Sequence, residues 1–378
     1  MLRPQFTRQQ VADLELEETH VQHLLMHVRP DTASGWASAI DLGPLFFRLT
    51  IDSATEFLFG QSVESQLQAL PGGISNDPNA YNWRNLAEHF DSGTKHLGMR
   101  GRLTWLYRLH NPREFHDDCT AVHAFADHFV KQALERADAE EKAEAAGEKT
   151  RYVFLHELIK DTKDPIELRC QLLHILLAGR DTTAGLLGWA FFLLARHPEV
   201  YSKLRTVVVE AFGEYDSPRD ITFERLKSCA YLQQVLQETL RLYPSVPLNS
   251  RMAIKDTTLP VGGGPNGTSP VYMRRGDEVQ YSVYVMQRRQ DLWGPDADAF
   301  NPERWTGRRA GWEYLPFNGG PRICLGQQFA LTEAGYVTVR LVQMFDQISA
   351  INPTELDRHQ YSITSAPKSV LVNLHASK

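Results

Sequence analysis

The sequence predicts a mainly α fold with small antiparallel β-sheets, in a single domain over residues 1–378. Three observations predict it. Apolar residues recur at helical spacing in segment after segment. Proline and glycine pairs such as Pro71-Gly72-Gly73 and Asn111-Pro112 punctuate those segments. Strict alternation, the mark of a strand, is confined to the stretch around Val279, Tyr281 and Val283.

In chain order, Val11, Leu14, Val21, Leu24 and Val28 share one face of an opening helix. His20, His23 and His27 fall on one side of it, which raises a metal site, although a partly solvated face is the commoner meaning of that pattern. Helical periods follow over Leu49 to Val63, Tyr81 to Leu97 and Asp117 to Arg136. The charged, Ala-rich run Asp138 to Lys149 reads as a solvated helix end or loop. Gln171 to Ala195 is apolar enough to suggest a membrane span, but Arg180, Asp181, Thr182 and Thr183 interrupt it, so it reads as a buried helix. Tyr231 to Leu242 is a helix that Pro244 ends. Gly262 to Gly267 satisfies a dinucleotide fingerprint on paper, yet Pro265 and Pro270 forbid the helix it needs. It reads instead as a turn joining strands, the second being Asp277 to Met286. A last long helix occupies Gln327 to Phe345.

Composition narrows the function. A net charge of -6 with no basic stripe argues against nucleic acid as a partner. The four cysteines are scattered, form no paired motif and fit a reducing compartment. One of them is not ordinary. Phe317-Asn-Gly-Gly-Pro-Arg-Ile-Cys324-Leu-Gly326 delivers Cys324 to the start of the last helix, where partial positive charge and unpaired N–H groups favour a thiolate. Gly320 allows the turn, and Gly326 lets a flat ligand approach the backbone. Arg322 supplies a cation and Phe317 an aromatic wall. Together they describe a haem held through sulfur. A lone cysteine is usually a small buried hydrophobe, but F-x-x-G-x-R-x-C-x-G should arise by chance in only about one chain in ten thousand.

This constellation resembles the cytochrome P-450 superfamily, the haem-thiolate monooxygenases, whose sulfur ligand favours O–O cleavage. The resemblance implies haem (iron protoporphyrin IX) as cofactor, with Cys324 as axial iron ligand. Ala178-Gly179-Arg180-Asp181-Thr182-Thr183 resembles the family's oxygen-activating helix. Alone, Asp181 or Thr182 reads equally as the N-cap of a new helix. With the family in view, Gly179 opens space for dioxygen, and Asp181 and Thr182 deliver protons. Glu238-x-x-Arg241 is a common surface pattern by itself. With Arg304 it matches the family's buried ion triad, a structural support of the haem cradle. Arg251, otherwise a surface charge, is expected with Arg322 at the haem propionates; Val246 to Leu248 and Gln360 to Ala366 are expected to contact substrate.

The wording around these motifs is most similar to fungal alkane and fatty-acid hydroxylases. That implies insertion of one oxygen atom from O2 into a C–H bond of a hydrophobic small-molecule substrate. Electrons would come from a separate NADPH-cytochrome P-450 reductase. It also implies a full-length protein on the cytosolic face of the endoplasmic reticulum membrane, held by an anchor this chain lacks. Leu2, Pro4 and Phe6 look like the end of a helix ordinarily carrying a Trp and a basic residue, so the expected fold is a P-450 domain lacking its N-terminal part. Two rivals stand beside this reading: a haem-thiolate isomerase or dehydratase, and a non-catalytic truncated haem-binding fragment.

Overall fold

The computed structural model describes residues 6, 13–73, 85–145 and 152–377, the side chains of 137–145 excepted. At its centre runs a helix of 30 residues, Pro165–Leu194. Asp164 starts it by accepting from the N–H groups of Ile166 and Glu167, and Pro165 takes the first position, where a missing N–H costs nothing. The helix passes unbroken through Asp181 and Thr182, so neither is an N-cap. Its second half is buried on all sides, with Leu187, Trp189 and Leu194 fully enclosed.

Around this axis pack Leu14–Leu25, Leu42–Phe59, Ala230–Leu242 and the last helix, Gln327–Met344. Leu86–Arg102, Arg113–Ala145 and Phe154–Asp161 gather on one side around a second cluster that includes Phe125, Phe154 and Leu172. The helix expected over Leu49 to Val63 starts earlier and stops sooner. Asp41 caps it at Gly43, and left-handed Gly60 (φ 77°) closes it. Asp13 caps the first helix at Leu16. Val11, Leu2, Pro4 and residues 81–84 and 146–149 of the sequence expectations lie outside the described residues.

A three-stranded antiparallel sheet joins Trp36–Asp41, Leu371–Ala376 and Phe345–Ala350. The Gly262–Gly267 turn does connect strands, but its second strand is Ser269–Met273, which pairs back onto Thr257–Gly263. Glu278–Ser282 pairs instead with Leu248–Met252, and the strand expected to reach Met286 ends at Ser282, whose hydroxyl caps the turn Val283–Met286. The hairpin His359–Tyr361/Ser365–Pro367 lies directly on the central helix. Gly185 and Gly188 permit that approach: a Cβ on either would fall 2.9 Å from Ser365 O or Pro367 Cγ.

The three N-terminal histidines do not converge. His20 Nε2 meets Glu56 Oε2 at 2.8 Å, while His27 Nε2 meets the Gln66 carbonyl at 2.8 Å. Among the described residues, no helix is long and apolar enough to cross a membrane.

Candidate functional site

A cavity of about 550 Å³ opens between the central helix and the cysteine loop. Gly179 and Thr182 reach it from the helix, and Phe317, Arg322, Cys324 and Gly326 from the loop. The sequence motifs at the two ends of the chain's second half therefore face one space. Leu58, Ile175, Leu186, Val246 and Ile363 make its wall largely apolar.

The loop is closed by the Cys324 N–H donating to the Phe317 carbonyl at 2.9 Å. Asn318 and Gly320 take left-handed backbone (φ 63° and 67°), which turns the chain tightly enough for that bond. Desolvation pushes the Cys324 thiol above its ordinary pKa, and the Gly326 N–H only partly opposes it. A metal ion is the additional charge that would make this sulfur a thiolate.

On the facing helix, Thr182 donates its hydroxyl to the Ala178 carbonyl one turn back, at 2.6 Å, and its own carbonyl accepts from Ser245 Oγ at 3.0 Å. A Cβ on Gly179 would meet nothing within 4 Å, so the glycine borders open space. Asp181 does not line the cavity. It is 2% exposed and accepts from Arg180 Nη1 at 2.9 Å, and Arg180 also meets Asp91 at 2.5 Å. Burial holds the Asp181 carboxyl above the usual range; Arg180 pulls it down and Asp91 pushes it up again. Arg180, inside the motif but not singled out from the sequence, is the hub of this trio.

Arg251 also stays off the cavity wall: exposed, it donates to the Ser250 carbonyl at 2.7 Å and sits over the Tyr281 ring. Of the expected substrate contacts, Val246, Ile363 and Thr364 line the cavity, whereas Leu248 is 68% exposed elsewhere. Phe57 and Phe329, which no motif marked, complete the wall; their helical apolar periodicity pointed only to a core.

Glu238, Arg241 and Arg304 do meet. Arg241 grips both oxygens of Glu238 at 2.8 Å, both side chains are fully buried, and Arg304 Nε reaches Glu238 Oε1 at 3.3 Å. The Trp305 indole and the Asn301 N–H also donate to Glu238. Arg241 further donates to the Gln287 carbonyl, and Gln287 Oε1 receives the Leu315 N–H, two residues before Phe317. The ion cluster is thus wired to the start of the cysteine loop.

The residues present fit a haem. A single soft sulfur donor faces a glycine-lined gap, with the guanidinium of Arg322, unpaired among the described residues, at its rim and aromatic walls beside it. At Gly326 a Cβ would meet only Phe6, at 3.8 Å, leaving room for a flat group above the backbone.

Comparison with known proteins agrees. Residues 2–373 match the family description cytochrome P-450. Cytochrome P-450 monooxygenase g430 of a Fusarium species is 53% identical over 365 residues, covering 96% of this chain and 64% of that protein. Cytochrome P-450 52A13 of Debaryomyces hansenii is 52% identical over 355 residues, and 52A5 of Candida maltosa 50% over 354; each alignment covers 92% of this chain and 66% of the relative. The chain therefore spans just under two thirds of these relatives' length. A match running almost from end to end, with half the aligned residues shared, places this chain in the cytochrome P-450 family, whose cofactor is haem.

Proposed function

We propose that the full-length protein inserts one oxygen atom from O2 into a C–H bond of a hydrophobic substrate, a long-chain alkane or fatty acid. The observation that carries this is the meeting of Cys324, Gly179 and Thr182 on one apolar cavity wall. Haem, when bound, supplies dioxygen activation and the oxidising equivalent. Cys324 would ligate its iron and Arg322 would neutralise a propionate. Leu58, Ile175, Leu186 and Ile363 would exclude water and take the aliphatic chain. Gly179 leaves space beside Thr182, whose hydroxyl would deliver a proton at that point once it releases the Ala178 carbonyl. Asp181, held by Arg180 beside the half-exposed Asp91, would be the buried acid that resupplies that proton once its carboxyl turns toward Thr182, while Arg180 stays charged and only orients it. The ion cluster on Glu238 would hold the loop in place, acting as a support and not as chemistry. Electrons would come from a separate NADPH-dependent reductase, and the protein would sit on the cytosolic face of the endoplasmic reticulum.

Two measurements test this. Reduced, CO-treated protein should show the red-shifted band of sulfur ligation, and Cys324→Ser should lose it; persistence of the band in the variant would refute the assignment. Thr182→Ala in a full-length form should cut product formed per reductant consumed about tenfold or more, within the range of a lost acid–base group. Unchanged, tightly coupled oxidation would remove the proton role, and turnover needing no reductant would favour an isomerase or dehydratase.

A further inference from the structure

A second cluster of ligand-type side chains lies away from the cavity, between the helices Leu86–Arg102 and Arg113–Ala145. One nitrogen of His96, one oxygen of Glu114 and one oxygen of Asp118 all lie within 4.8 Å of one another. Glu114 and Asp118 are one turn apart on a single helix and so share a face. His96 comes from the opposite helix, with its Nε2 3.7 Å from Glu114 Oε2. The helices pack closely here: a Cβ at Gly93 would make an ordinary contact with Asp118 Cβ at 3.6 Å.

Acidic and histidine groups often gather on surfaces without binding anything, and Glu114 is well exposed. Asp118 is different. It is 3% exposed, its Oδ1 meets His89 Nδ1 at 2.9 Å, and its Oδ2 is buried with no hydrogen-bond partner. An acceptor left bare in a buried place is unfavourable unless a cation or donor arrives. The other two groups are arranged alike, each with one atom already held. His96 Nδ1 meets His110 Nε2 at 2.8 Å, and Glu114 Oε1 accepts from Ser92 Oγ at 3.3 Å. Metal-binding side chains have this pattern: the atom not facing the metal is fixed by a neighbour, which orients the ligand and sets the histidine tautomer.

We propose that His96, Glu114 and Asp118 form a divalent transition-metal site, of the Zn²⁺ class, with water completing the shell and His89, His110 and Ser92 orienting the ligands. One imidazole and two carboxylates suit Zn²⁺, whose charge the two carboxylates balance. Metal binding at Nε2 selects the His96 tautomer whose Nδ1–H donates to His110. The ion ties two helices already joined by the His89–Asp118 and Ser92–Glu114 hydrogen bonds. The first of these also borders the cavity: Gly98 lies against the backbone of Ser362, beside the cavity residues Ile363 and Thr364, so a metal here stiffens one cavity wall.

The test is Zn²⁺ titration of the purified, haem-loaded full chain, in competition with a chromophoric chelator. Wild-type protein should take up one tight equivalent that Glu114→Gln and His96→Gln each weaken by at least tenfold. His89→Ala, which touches no metal, should weaken it tenfold to a hundredfold. His116→Ala, an exposed neighbour bonded to Asn111, should leave it unchanged. Glu114 is exposed enough that its variant keeps the fold, so that comparison stands even if others misfold. Equal Zn²⁺ affinity in wild type, Glu114→Gln and His96→Gln would overturn the site, as would the lack of any tight equivalent in the wild type.

Discussion

Two buried ionisable clusters flank the cavity, and they solve the same problem in opposite ways. The one on Glu238 pairs charges. Two guanidiniums face one carboxylate, and each carboxylate oxygen accepts at least two donors. The other draws Glu17, His20, Asp52 and Glu333 from three helices into the core, none more than 4% exposed. Its acids outnumber its one basic side chain, His20. Asp52 is met by the N–H groups of Ser65 and Gln66, and Glu333 by the Ser53 hydroxyl at 2.6 Å, but Glu17 Oε2 has no partner. A pocket of about 10 Å³ beside Glu17 and Glu333 has room for roughly one water. Burial raises the pKa of Glu17, Asp52 and Glu333, with Glu333 pushed up to about 7. Charge in a core is tolerated through pairing in the first cluster, while in the second burial pushes the carboxyls toward the neutral form.

Breaking the paired cluster should cost most. Glu238→Gln leaves Arg241 fully buried and charged with only carbonyls to face, the situation in which losing one partner costs about 3–5 kcal/mol. Denaturant unfolding should show that loss, while Glu303→Gln, at an ion pair about half exposed, should change stability by about 1 kcal/mol or less. A loss of stability at Glu238 no larger than that at Glu303 would mean the cluster is not held together by charge pairing.

The protonated cluster should respond to pH instead. Glu333 titrates near 7 when folded and near its ordinary 4.5 when unfolded, so between those values the folded chain binds more protons. Its contribution is therefore complete below pH 4.5 and is lost as pH rises through 7. Glu333→Gln removes that titration. The variant should match wild type near pH 5 and exceed it near pH 8, by on the order of 2 kcal/mol or a few degrees in melting temperature. Melting temperature recorded across this range checks it; parallel curves for the two proteins would show that Glu333 is not the titrating group.

The contrast also explains what was legible in the sequence. The paired cluster uses two residues one helical turn apart and a third in a proline-rich segment, so a short motif marks it. The cysteine loop and the glycine-bearing helix are local in the same way, and the residues they name, Asp181 excepted, meet at the cavity. Nothing local marks the acidic cluster, because its three acids lie on three separate helices and only packing brings them together. Orientation was equally hidden. Asp181 and Thr182 are adjacent in one motif, but their side chains diverge, one toward Arg180 and one toward the cavity. Arg251 lies on a strand whose register with Glu278–Ser282, not its position in a motif, determines where its side chain goes. The helices Phe154–Asp161 and Pro198–Phe212 went unpredicted; the first spans barely two turns, too short for its period to stand out.

The smallest expected effect separates protonation from simple burial. Ser53 donates to Glu333 Oε1, and that bond favours the charged form, holding the pKa lower than burial alone would set it. Ser53→Ala should therefore move the pH inflection upward while costing about 1 kcal/mol, the usual worth of one hydrogen bond. The shift should vanish in a Glu333→Gln background, whereas the cost should persist there, because the glutamine amide oxygen still accepts from Ser53. An inflection that stays where it was in Ser53→Ala would mean the hydroxyl bonds the protonated and charged forms equally. In that case Ser53 would play no part in setting the Glu333 pKa.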